Sequence, residues 1–202
     1  MALFHVPKER IETLVDGVFA IAMTILVLEL KVPEGVGQHD WRELFHRLRD
    51  VLPTVGAYFF SFFMLGIFWL WFHRMSSKIA RIDGMLIALN LLFLSLVCAF
   101  PFAAALLGRY PTNAASLAIY LPLIGAILIT QFVTFWAADT RGLVDPLLPQ
   151  DEVNAVKRRN LRGILVFAVA SIPAALRLGL WGPVPCLVVA AACAVAMRNL
   201  KR

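Results

Sequence analysis

Six long apolar runs constrain the fold of this chain more than any other feature. They lie near residues 13–31, 52–73, 84–107, 114–137, 161–178 and 183–199. An α-helix needs about 20 mostly apolar residues to cross a bilayer, and each run approaches or exceeds that length. The chain is 60% hydrophobic and only 16% charged, which excludes an ordinary soluble domain. We therefore predict an all-α, polytopic membrane protein in which residues 1–202 form one domain with six transmembrane helices per chain.

The last two runs are less regular than the first four. Pro173 and Arg177 interrupt the fifth run, and the Gly-Pro-Val-Pro turn at 182–185 shortens the sixth. Proline inside a helix removes a backbone hydrogen bond and kinks or ends the helix. These two runs form either two full crossings or a tight hairpin.

The basic residues favour one orientation in the membrane. With both termini in the cytoplasm, 13 of the 19 Lys and Arg residues lie on the cytoplasmic side. Cytoplasmic loops of membrane proteins carry an excess of these residues, and an even number of spans agrees with this topology. The net charge of +6 therefore reflects topology, and we expect the lipid bilayer, not nucleic acid, as its partner.

Two polar segments between the runs have their own character. Residues 40–50 place apolar side chains at spacings of three and four, which predicts a short amphipathic helix lying on the outer surface. Residues 139–162 form the main cytoplasmic loop. Its Lys157-Arg158-Arg159 cluster is expected to fix the topology and to contact anionic lipid.

The first apolar run carries charged residues beside an uncharged centre. Arg10 and Asp16 lie less than two helical turns apart, so they could neutralise each other at the membrane edge. The pattern Arg-x-x-x-Leu-Val-Asp-Gly-Val-Phe-Ala-Ile-Ala-x-Thr at 10–24 resembles the first helix of the transmembrane protein 175 family of potassium channels. The family's usual form begins Arg-x-x-x-Phe-Ser-Asp. Leu14 and Val15 depart from it, so one hydrogen bond of the Ser hydroxyl is absent or replaced.

The resemblance continues through the second and third runs. Trp69 and His73, an Asn-Leu-Leu-Phe-Leu run that begins at Asn90, and a Pro-Phe pair at 101–102 all match family features. It covers residues 10–111, about half of the chain. Because the pattern occurs once in a short chain, the resemblance is to the bacterial members, which implies the bacterial inner membrane.

Five polar side chains of these runs are candidates for one cluster. Trp69 and His73 lie one turn apart on the same helical face, and buried polar groups need partners. We predict that Arg10, Asp16, Trp69, His73 and Asn90 form a polar cluster that holds the first helix against the second and third. Alternatively, His73 reaches the cytoplasmic surface and Asn90 satisfies a local backbone defect.

An apolar stripe on the first helix is the candidate pore lining. Ile21, Ile25 and Leu28 recur at spacings of four and three, with Thr24 beside them. Such a stripe is typical of ordinary helix packing. The resemblance implies instead that Ile21 is the tightest constriction, that the Thr24 hydroxyl favours potassium, and that Ile25 and Leu28 form further rings. A narrow apolar pore can close by losing its water.

These features support a passive potassium-selective channel with a central pore. The first-helix pattern occurs once, so the pore requires several chains, and the resemblance implies a homotetramer lined by four first helices. An alternative is a proton-coupled secondary transporter that uses Asp16 and His73. A structural membrane protein without ion flux is a third hypothesis.

No pattern of an enzyme or of a cofactor site is present in the sequence. The four histidines are scattered without a metal-binding spacing, and no glycine loop of the phosphate-binding type occurs. The three cysteines lie in apolar runs without a Cys-x-x-Cys spacing, which is typical of packing residues. We therefore expect no enzyme activity and no cofactor, with potassium only as the permeant ion.

Overall fold

Five α-helices make up most of the part of the chain that the structure describes. The computed structural model describes residues 7–35 and 40–175. The helices are α1 (Lys8–Ile25), α2 (Trp41–Ser76), α3 (Gly84–Arg109), α4 (Ala114–Thr140) and α5 (Gln150–Ala175). A single 3₁₀ turn, Leu26–Glu29, continues α1.

The prediction of six transmembrane helices per chain is wrong. Among the described residues, four helices are long and apolar enough to cross a membrane: α1 with its 3₁₀ turn, α2, α3 and α4. The predicted span near 161–178 falls in α5, which begins at Gln150 and carries six charged residues in its first half. The predicted span near 183–199 lies outside the described residues.

The helix α2 is much longer than a bilayer crossing requires. Its 36 residues extend about 54 Å at 1.5 Å per residue. It begins at Trp41, after Asp40 accepts a 3.0 Å hydrogen bond from the Glu43 backbone N–H and caps the helix. The segment 40–50 is therefore not the separate surface helix that its amphipathic pattern predicted. That pattern is the same for a free helix and for the first turns of a longer one.

The helix α3 is the centre of the bundle and packs against α1, α2 and α4. Aromatic side chains connect these helices, and the Phe93 ring lies 5.8 Å from Phe19 on α1 and 5.7 Å from Phe72 on α2. Phe100 lies two turns further along α3, and its ring centroid lies 5.9 Å from that of Phe68 on α2. Since lipid tails are as apolar as these side chains, close packing of this kind is what holds helices together in a membrane.

Backbone contacts connect the loops at one end of the bundle. Ile79, just after α2, pairs with Val144, just before α5. The Asp145 N–H donates to the Lys78 carbonyl at 3.0 Å. The end of α2 and the beginning of α5 therefore lie at the same end of the molecule, so the two helices run in opposite directions.

Candidate pore helix and polar cluster

The helix α1 is packed against the rest of the chain on one side only. Its buried positions recur every three or four residues and face α2 and α3. They are Ile11, Val15, Phe19, Ala22 and Leu26. The four predicted pore residues lie on the uncovered side, where Ile21 is 60% exposed, Ile25 41% and Leu28 69%. A single chain thus leaves the predicted pore stripe free to face lipid, water or another chain.

The polar member of this stripe is held by its own helix. The Thr24 hydroxyl donates a 2.8 Å hydrogen bond to the Ile21 carbonyl, which fixes the side chain against the backbone. Thr24 is exposed, and its hydroxyl oxygen can still accept hydrogen bonds. The 3₁₀ turn follows at once, and because residues three apart eclipse in such a turn, Leu28 stays aligned with Ile25.

Three of the five residues of the predicted polar cluster come together. The Trp69 indole N–H donates a 2.7 Å hydrogen bond to the Asp16 carboxylate, which joins α2 to α1. His73 lies one turn further along α2, with its Nδ1 atom 4.0 Å from the same carboxylate oxygen. The Trp69 and His73 rings pack 5.0 Å apart between their centroids. Asp16 and His73 are both about half exposed, so water still reaches this cluster.

Arg10 and Asn90 are not part of this contact. The buried Asn90 amide donates a 2.8 Å hydrogen bond to the Leu86 carbonyl within α3, the local backbone role that the alternative interpretation gave it. Arg10 is exposed and forms no ion pair or hydrogen bond with Asp16 in the described part of the chain. Six residues along a helix turn side chains about 120° apart, so Arg10 and Asp16 leave α1 in different directions.

A second link between α1 and α2 is one that the sequence reasoning missed. The buried Ser76 hydroxyl donates a 2.6 Å hydrogen bond to the Glu12 carboxylate, which also lies 3.4 Å from Lys8. Glu12 lies one turn before Asp16 on α1, so two carboxylates on one face hold α2. The i, i+4 spacing of the two acids indicates that they share a helix face, but their partner residues are more than 50 positions away in the sequence.

Position 15, where the family usually has Ser, is apolar in this chain. Val15 is fully buried in the core. The α1 to α2 hydrogen bonds come from Glu12 and Asp16. Val15 contributes packing alone at this level of the interface.

Fold and site together define an all-helical, multi-pass membrane protein whose first helix is clamped to the second and leaves an apolar stripe uncovered. Residues 10–101 match the family described as endosomal/lysosomal potassium channel TMEM175. The chain is 34% identical over 176 residues to a potassium channel of Streptomyces collinus, covering 85% of this chain and 81% of that protein. The chain belongs to the TMEM175 family, as the sequence resemblance predicted.

A solved structure supports the same family. It is described as a lysosomal potassium-selective channel TMEM175 homolog from Chamaesiphon minutus, and it matches with a TM-score of 0.78 and 32% identity. The match covers 93% of this chain and 96% of that one. The chicken relative is named an endosomal/lysosomal proton channel, and the 29% identical region spans only 26% of its length.

Proposed function

We propose that this chain is a subunit of a passive, potassium-selective cation channel. The observation that carries the proposal is the uncovered stripe of Ile21, Ile25 and Leu28 on a helix that is otherwise fixed in the bundle. Bacterial relatives that match over most of their length are named potassium channels, which supports this ion. An ion channel is not an enzyme, and we propose no catalytic activity and no cofactor.

The pore forms between chains. One chain supplies one α1 with one uncovered face, and a closed rotational assembly would bring the same face of every copy to the central axis. The family resemblance implies four copies, so we propose a homotetramer. The stripe would then line the axis, while the core-facing side of each α1 stays packed on its own α2 and α3.

Each part of α1 would have a separate task in conduction. The Ile21 side chains of the assembled copies would form a narrow apolar constriction around the axis, which loses its water and closes without a charged barrier. Thr24 would present a hydroxyl oxygen to a partly dehydrated potassium ion near this constriction. The hydrogen bonds of Asp16 and Glu12 to α2 would set the position of α1, and hence the pore width.

We propose that the N-terminal end of α1 faces the cytoplasm in a bacterial inner membrane. With four described spans, ten described Lys and Arg residues lie on that side and five on the other. The ten are Lys8, Arg10, Arg74, Lys78, Arg81, Arg141, Lys157, Arg158, Arg159 and Arg162. The five are Lys31, Arg42, Arg47, Arg49 and Arg109.

A second candidate function is proton-coupled transport. The half-exposed pair of Asp16 and His73, with 4.0 Å between the titratable atoms, is the observation that favours it. The vertebrate relatives that carry the name proton channel also point to protons, although this chain spans only about a quarter of the chicken protein. A coupled transporter would need a proton gradient, whereas a passive channel needs only a potassium gradient.

Ion flux into liposomes tests the channel proposal directly. We expect the purified protein to pass potassium down an imposed gradient with no pH difference across the membrane. Ile21→Asn, which replaces the apolar constriction with a polar one, should raise the flux and reduce the preference for potassium over sodium. Ile129→Asn is the matched control, because Ile129 on α4 is 49% exposed and outside the stripe. Flux that requires a proton gradient would replace this proposal with the transporter.

A further inference from the structure

Two arginine side chains lie close together at the end of the bundle where α2 ends and α5 begins. One terminal nitrogen of Arg74, Nη1, is buried and has no hydrogen-bond partner among the described residues. Burial lowers the pKa of Arg159, and the positive charge of Arg74 lowers it further. An arginine carries five N–H donors and stays charged, so a buried and unpaired nitrogen is costly.

Helix packing brings these two side chains together. A Cβ atom placed on Gly163 of α5 would lie 3.4 Å from the Trp71 ring of α2, so the helices touch at this point. Arg74 lies three residues after Trp71, and Arg159 lies four residues before Gly163. Because the helices are antiparallel, both steps lead about one turn toward the same end of the molecule.

Neither Arg74 nor Arg159 forms an ion pair within residues 7–35 and 40–175. Four acidic side chains at this end are already paired with other bases: Glu12 with Lys8, Asp83 with Arg141, Asp139 with Lys157, and Glu152 with Lys78. Residues 1–6, 36–39 and 176–202 contain no Asp or Glu at all.

We propose that Arg74 and Arg159 form a binding site for a phosphate-type oxyanion, either the phosphodiester of an anionic lipid headgroup or free phosphate. Planar guanidinium groups bind phosphate oxygens with two parallel hydrogen bonds, and two such groups side by side suit one tetrahedral anion. Arg162 adds a further positive charge in the same charged half of α5. This proposal concerns a site away from α1 and does not depend on the channel function.

Thermal unfolding of the purified wild-type protein tests the site and distinguishes the two sources. The midpoint is measured with added phosphatidylglycerol, phosphatidylcholine or inorganic phosphate, at one ionic strength set with sodium chloride. A rise with phosphatidylglycerol but not with phosphatidylcholine identifies a lipid headgroup, and a rise with inorganic phosphate identifies the free anion. If neither anionic probe raises the midpoint, the proposal is overturned. A counterion supplied by a neighbouring subunit would also give this result.

Variants of α5 locate the effect. Arg159→Gln should abolish the rise that the anion causes, while Arg158→Gln, which removes the same charge from an exposed neighbour, should retain it. The compared quantity is the anion-dependent rise and not the basal midpoint, because removal of an unpaired charge can itself change stability. Should Arg159→Gln fail to fold, Arg159→Lys keeps the charge without the planar fork and should reduce the rise. An equal rise in wild type and either Arg159 variant would overturn the site.

Discussion

The Trp69 indole on α2 and the Asp16 carboxylate on α1 are joined by a 2.7 Å hydrogen bond, and this bond fixes the height of α1 against α2. The carboxylate acceptor strengthens the bond, while its partial exposure to water weakens it. The residues of the uncovered stripe begin little more than one turn further along α1. Their position therefore depends on this contact.

Trp69→Phe should keep an aromatic ring beside His73 while it loses the hydrogen bond and some packing of the larger indole. We expect a loss of at least about 1 kcal/mol in the free energy of unfolding, because the usual net value of one such bond is about 1 kcal/mol and the lost packing adds to it. Trp136→Phe on α4, where the side chain is exposed, is the control and should cost less. Equal unfolding midpoints for the Trp69 variant and wild type would show that the bond does not hold α1.

Ser76→Ala should break the second link between α1 and α2. The hydroxyl donates to the Glu12 carboxylate at 2.6 Å and is buried, so we expect a loss of about 1–2 kcal/mol. Ser77→Ala is a close control, since within the described residues the Ser77 hydroxyl bonds only to the Arg74 carbonyl one turn earlier. The two variants are compared by chemical denaturation in one detergent, and a loss as large for Ser77 would contradict the role of Glu12.

Alanine substitution at two glycines of the bundle should change the free energy of unfolding in opposite directions. A Cβ on Gly108 of α3 would lie 3.1 Å from the Thr54 Cα atom of α2, so Gly108→Ala must push the helices apart. We expect a cost of about 1–3 kcal/mol, as for other overpacked sites. Gly56→Ala meets nothing within 4 Å and should stabilise α2 by up to about 1 kcal/mol. Unfolding midpoints that shift in the same direction would contradict this packing.

The pH dependence of stability should reveal the Asp83 cap of α3. Burial acts to raise the pKa of Asp83, but hydrogen bonds from the Leu86 N–H and from Arg141, with the charge of Arg141, hold that pKa below its ordinary value. A lowered pKa means that the charged form stabilises the fold at neutral pH, and that this stabilisation is lost as pH falls through the pKa of the folded state.

Asp83→Asn keeps a capping side chain and removes the charge. We therefore expect a lower unfolding midpoint than wild type at pH 7, and a difference that disappears as the pH falls below about 4. Asp40→Asn is the control, because Asp40 caps α2 without an arginine partner in the described residues. A difference for Asp83→Asn that stays constant from pH 7 to pH 3 would contradict the charged pairing with Arg141.

The sequence predicted α3 and α4 well because they are uncharged apolar runs bounded by capping residues. Asp83 and Asn113 each accept a hydrogen bond at the first turn of these helices, and such residues are readable from sequence. The start of α5 could not be read in this way, because its apolar half follows a charged half on the same helix. Its hydropathy indicated a span that begins near residue 161, whereas the helix begins at Gln150.

The candidate site was only partly predictable. The Asp16 and Trp69 contact joins residues 53 positions apart, and the sequence predicted it because buried polar side chains need partners, not because of their spacing. The Glu12 and Ser76 contact spans 64 positions and involves residues without a motif, so only the structure reveals it. Arg10 was misplaced because a charge pair near in sequence can still lie on different sides of one helix.

The central claim is that the uncovered stripe of α1 lines the conducting pathway, and cysteine accessibility at Ile21 tests it most directly. In a protein whose three native cysteines are replaced by Ala, Ile21→Cys and Ile129→Cys are each reconstituted, and potassium flux is measured before and after silver ion is added. Silver binds thiolate and is small enough to enter a cation pathway. We predict that silver blocks flux through Ile21→Cys and leaves Ile129→Cys unchanged. Unchanged flux through Ile21→Cys, with silver shown to have reacted, would contradict a pore lined by α1.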